Sequence, residues 1–147
     1  MPLPFSSSGT IELKHQKKAN LERVTSDIFI AIKACEPTSI TMINGGIIFK
    51  AGIFRLVGSW NQLIYIGSGQ ISFSQKQEHI LIHYRISFLQ WFLLTSVMSM
   101  LVWILTASLG TTVLAWMIIF LGNSGYAHYR FTRFLIKAAS SKSAPSS

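Results

Sequence analysis

His79 and His83 are the only closely spaced histidines in the chain, and Arg85 stands two residues beyond them. On a helix, a spacing of four would bring both imidazoles to one metal ion. The residues around them alternate instead, with Ile80, Ile82, Tyr84 and Ile86 set against His79, Leu81, His83 and Arg85. That is the period of a strand, in which the two rings stand about 13 Å apart and cannot share an ion. Cys35 and His15 add no regular ligand spacing, so no metal and no other cofactor is expected. A Ser-His-Asp triad would have to recruit Asp27, the only aspartate, and no nucleophile elbow is present. Asn44-Gly45-Gly46 and Gly67-Ser68-Gly69 are glycine turns, but neither leads into the Lys-Ser/Thr of a phosphate loop. The chain is therefore expected not to be an enzyme.

A net charge of +8 and a pI near 10.0 raise nucleic acid as a partner. The distribution of charge argues otherwise. Nine Lys and Arg against five acids lie at or before Arg85, and four Lys and Arg lie at or after Arg130. The 44 residues between them, 86–129, carry no formal charge except, when protonated, at His128. As helix they would reach about 66 Å, enough for two crossings of a hydrocarbon layer about 30 Å thick. Spans are expected at 87–107 and 111–129, reversing at Ser108-Leu109-Gly110, where glycine relaxes the backbone and Thr106, Thr111 and Thr112 can satisfy freed helix-end groups. The rival reading stops the second run at Gly122-Asn123-Ser124-Gly125 and leaves it buried or re-entrant.

Cations flank the outer end of each span and the turn has none, so both termini should face the cytoplasm. The expected interface anchors are Tyr84, Arg85, Trp91, Trp103, Arg130, Arg133 and Lys137. Membrane lipids, through anionic headgroups, become the expected partners, together with a second copy of the chain or another membrane subunit; nucleic acid does not. One cysteine among 147 residues can form no intrachain disulfide, which suits a reducing compartment. The opening MPLPFSSSGTIELK lacks the basic start and apolar run of a cleavable signal.

The elements that would position these groups follow from periodicity. Residues 1–19 are polar, Ser-rich and basic, and are expected to be disordered. From Asn20 the apolar positions Leu21, Val24, Ile28, Ala31, Ile32 and Cys35 recur at helical spacing up to Pro37, although Ile28, Ile30 and Ile32 also alternate as a strand would. Short β-type runs follow at 39–43, 47–57, 63–66, 70–74 and 79–86, separated by turn residues. Asn44-Gly45 is read as a type I′ hairpin turn. The expectation is an α+β membrane protein: a helix and an antiparallel meander of about five strands over 20–86, a two-helix transmembrane hairpin over 87–129, and a basic amphipathic helix with a disordered tail over 130–147. In that last segment Arg130, Arg133 and Lys137 would face headgroups, with Phe131, Phe134 and Leu135 on another stripe; the equal alternative is a positive-inside stop with a helical extension of the second span.

Ile48-Phe49-Lys50, Phe54-Arg55, Trp60-Asn61, Gly69-Gln70-Ile71 and the run from Ile82 to Phe88 entering the apolar stretch resemble small uncharacterised bacterial membrane proteins. These have an N-terminal helix, a short sheet and a two-span hairpin. The likeness covers residues 20–137 and implies a place in a bacterial inner membrane, with no activity to carry over. The expected role is thus a non-enzymatic, membrane-anchored interaction or accessory module. Its rivals are a holin-like pore, and an enzyme working on a lipid-soluble substrate through His79, His83 and Arg85.

Overall fold

The structure, a computed structural model, describes residues 5–13, 21–51, 63, 65–76 and 79–140. Within them five strands form one antiparallel sheet: β1 (Ser6–Leu13), β2 (Ser39–Ile43), β3 (Gly46–Lys50), β4 (Ser68–Lys76) and β5 (His79–Ser87). Their order is β1-β5-β4-β3-β2, a four-strand meander with the N-terminal strand added at its far edge. Three helices accompany the sheet, α1 (Leu21–Ala34), α2 (Leu89–Thr106) and α3 (Leu109–Ser140).

The α+β class and the strand count agree with the sequence pattern, but the fifth strand is a different one. Ser6–Leu13, expected to be disordered, pairs along its whole length with β5, from Ser6 opposite Ser87 to Leu13 opposite Ile80. A bare edge on β5 would leave a row of backbone donors and acceptors open, and β1 satisfies it. Conversely, the described part of 63–66 is a turn, closed by the Ile66 amide donating to the Leu63 carbonyl at 3.0 Å. Residues 14–20, 52–62 and 141–147 lie outside the described residues, and with them the expected disorder of 14–19, the outer part of the 47–57 run and the end of the tail.

Helix wins over strand at 21–34 because the apolar residues follow a period near 3.6 along the whole stretch: Val24, Ile28 and Ile32 are buried while Ile30 faces outward. Glu22 in the first turn and Lys33 in the last complement the helix dipole. The helix closes at Glu36, whose φ of 51° turns the chain into Pro37. In the sheet, Ile47 and Phe49 on β3, Ile71 and Phe73 on β4, and Ile80, Ile82, Tyr84 and Ile86 on β5 all point to one buried face. The Asn44-Gly45 turn is present, but a type I′ turn needs positive φ at both residues. Only Gly45 has it, at 81°, which is the sign pattern of a type II turn.

What covers this face decides between the two readings of the last segment, in favour of a helical extension. The segment 130–140 is no separate helix lying on a membrane surface; it is the last third of α3, which runs 32 residues without a break at Gly122-Asn123-Ser124-Gly125. Phe131 and Leu135, expected on the stripe away from the cations, are fully buried against the sheet and α1, and Ala138 and Ala139, expected in a disordered tail, are buried with them. Burying a side chain of this size contributes about 1.5–3 kcal/mol, so Phe131 and Leu135 add several kcal/mol to the core built on the sheet.

Below the sheet, α2 and α3 form an antiparallel hairpin. Thr95 and Ser99 of α2 and Thr112 of α3 are buried between the helices, and the Trp116 indole donates to Ser96 Oγ at 3.2 Å. Phe92, Trp116 and Phe120 stack at the other end, joined by Phe5 at 3.9 Å from Phe92. The reversal falls where expected but by another device: Ala107, not glycine, takes the left-handed conformation, at φ 52°. Ser108 then caps α3, its Oγ accepting from the Thr111 amide at 3.4 Å, and Gly110 sits inside the first turn. Both helices are long and apolar enough to cross a membrane, and only 11% and 6% of their most apolar windows are buried. Core helices of a soluble protein would be mostly covered.

Candidate functional site

Two groups of polar side chains are organised by this fold. The first lies between the sheet and α3. His128, the one side chain of residues 86–129 that can carry a positive charge, sits one turn before Phe131, so its ring faces the sheet edge. Its Nδ1 lies 2.9 Å from Ser7 Oγ on β1 and its Nε2 3.3 Å from the Tyr84 hydroxyl on β5. Tyr84 also meets Thr132 Oγ1 at 2.6 Å, and Thr132 in turn donates to the His128 carbonyl at 2.9 Å. Tyr84 can lie there because its register partner is Gly9; a Cβ at that position would collide with the phenol. Ser, His and Tyr therefore tie three elements together, and among the described residues no carboxylate bonds the imidazole to orient it as a base. The chemistry is that of a latch.

The second group lies on the opposite, open face of the sheet. Strand alternation puts Ser8 and Thr10 of β1, Gln70, Ser72 and Ser74 of β4, and His83 and Arg85 of β5 on that face. His83 is held by both ring nitrogens, 2.9 Å from Thr10 Oγ1 and 3.2 Å from Ser74 Oγ. Arg85 donates to Ser6 Oγ from Nε at 3.4 Å and from Nη2 at 3.3 Å. With Gly9 and Tyr84 below, Ser8, Thr10, Gln70, Ser72, His83 and Arg85 line a shallow polar hollow of about 490 Å³. A guanidinium among hydroxyls can hold an anion or a polyol; it offers no activated nucleophile. His79 is four residues along the same extended strand from His83 and lies 3.6 Å from Glu12 Oε1. Among the described residues, no three His, Cys, Asp or Glu side chains converge.

The expected interface anchors scatter. Tyr84 is 4% exposed, its hydroxyl committed to the latch. Arg85 is exposed on the open face. Trp91 is half-buried against Tyr65, ring centroids 4.9 Å apart, and Trp103 stands 48% exposed near the turn between α2 and α3. Arg130 and Arg133 stack over Tyr126 and Tyr129, at 5.5 and 5.2 Å from the ring centroids, and Lys137 is exposed one turn later. The pattern reading passed over the two tyrosines, although their i, i+4 spacing to the arginines is the signal that finds these pairs. For the Ser7 to His128 contact, 121 positions apart, no local signal exists. Compared with known protein families, curated proteins and solved structures, the chain gives no match, so its geometry alone carries the functional reading.

Proposed function

We propose that the chain is a two-span membrane protein, with both termini on the cytoplasmic side of a bacterial inner membrane, whose sheet domain serves as a non-enzymatic interaction or accessory module. The observation that carries this is the continuity of α3. Its first half presents Leu114, Ile118 and Leu121 outward at 57–65% exposure, and its last third presents Phe131 and Leu135 inward at 0%. A contiguous apolar surface of that size on both hairpin helices exceeds what water-soluble monomers expose, and lipid is the medium that suits it. Only Phe88 separates β5 from α2, so the domain is held against the bilayer at two points rather than on a tether.

Because α2 and α3 are antiparallel, β5 and the basic end of α3 emerge on one side, where Arg85, Arg130, Arg133 and Lys137 give the excess of cations that marks the cytoplasmic face. Membrane fractions washed with alkaline carbonate should retain the protein. A cysteine placed at Ser108 should react with an impermeant reagent from outside only, and Cys35→Ser should remove reactivity on the cytoplasmic side. Release by carbonate, or labelling of Ser108→Cys from the cytoplasm, would overturn the reading. Crosslinkers placed on the open sheet face should capture one reproducible partner, and a partnerless monomer would remove the interaction role while leaving the anchoring intact.

A further inference from the structure

The open face of the sheet points to a ligand class. We infer that the hollow around Arg85 binds the headgroup of an anionic phospholipid, its phosphodiester on the guanidinium and its polyol on the surrounding hydroxyls. This rests on the membrane reading above. The argument is one of height and chemistry.

Arg85 stands four residues before Leu89, where α2 begins, so its Cα lies no more than about 13 Å from the first turn of that helix. Its guanidinium does not stay at that level. The register partner of Arg85 on β1 is Ser8, yet the group bonds Ser6, which pairs with Ser87 two residues nearer the helix. A shift of two residues along a strand is about 6.6 Å, which brings the charge to within roughly 6–7 Å of the start of α2. The polar zone on each side of the hydrocarbon layer is about 5–8 Å deep, so the guanidinium stands at phosphate level.

The chemistry agrees. The two bonds to Ser6 are long and have a neutral acceptor, and a planar guanidinium has further N–H donors suited to two phosphate oxygens. Solvated sheet faces are ordinarily studded with charges, whereas this hollow pairs one cation with hydroxyl and amide groups from Ser8, Thr10, Gln70 and Ser72. That set suits an anion carrying its own hydroxyls. The acyl chains would stay in the leaflet beside α2, with nothing to extract.

The test uses the full chain in nanodiscs of phosphatidylcholine alone and of phosphatidylcholine mixed with phosphatidylglycerol, followed by native mass spectrometry of the lipid kept on release. The wild-type chain should retain phosphatidylglycerol over phosphatidylcholine by about tenfold, as a charge-assisted contact predicts. Arg85→Ala should lose that preference with the melting of the domain unchanged, and Arg85→Lys should recover part of it. Arg133→Ala should leave it in place. Retained preference in Arg85→Ala, or its loss in Arg133→Ala alone, would overturn the assignment and move the lipid to α3. Equal protection by free glycerol phosphate would make the hollow a site for a soluble anion instead. Failure to enter nanodiscs at all would strike the membrane reading, a separate outcome.

Discussion

The two halves of α3 obey opposite rules. Toward its start, leucines and isoleucines turn away from the protein; toward its end, Phe131, Leu135 and two alanines turn into it. A single helix with no break carries both patterns, so the difference comes from the surroundings and not from local propensity. Where a sheet is available the apolar side chains bury against it, and where none is available they face outward, which is stable only if the outside is itself apolar.

The contrast can be broken by substitution. Phe131→Ala should have the largest effect, about 3–5 kcal/mol off the stability of the sheet domain, because it empties a fully buried site. Denaturation of the detergent-solubilised protein, followed by Trp fluorescence, would show it, and Leu114→Ala should lower stability far less in the same experiment. Next comes Ile118→Arg, which should oppose insertion by about 2.5–3.5 kcal/mol in a glycosylation-mapped insertion assay and leave the sheet folded. Arg at Ile136, which is exposed beside the domain, should do neither. Tyr84→Phe removes the hydroxyl shared by His128 and Thr132 and should cost about 1–3 kcal/mol, read as a lowered melting temperature with the spans still inserted. The smallest effect is expected for Ser108→Ala, about 0.5–1 kcal/mol of cap energy, seen as faster amide exchange in the first turn of α3. Equal losses for Phe131→Ala and Leu114→Ala would mean that both halves of α3 are packed in protein, and the comparison would fail.

Much of this architecture is local and was legible as such. The 3.6 period of α1, the alternation of β5, the Asn44-Gly45 reversal and the turn at Ser108 are written in neighbouring residues, because backbone geometry repeats over a few positions. The ion-free length of 86–129 bounds two crossings for the same kind of reason, since helix rise per residue is constant. The candidate site was legible only in part: alternation placed His83 and Arg85 on one face, and nothing in it could say that β1 would bring Ser6, Ser8 and Thr10 beside them.

Tertiary structure alone decided the rest. A Ser-rich N-terminal stretch resembles disorder until a strand edge needs a partner, and a basic amphipathic end of helix fits either a membrane surface or a protein core. Tyr84 looked like an anchor for the same reason, an amphipathic ring beside an apolar run. In each case the residue types permit two environments, and the choice falls to contacts between positions far apart in the chain, from 44 for Tyr84 with His128 to 121 for Ser7 with His128. Such contacts form only when the sheet and α3 meet, and no periodicity along the chain records them.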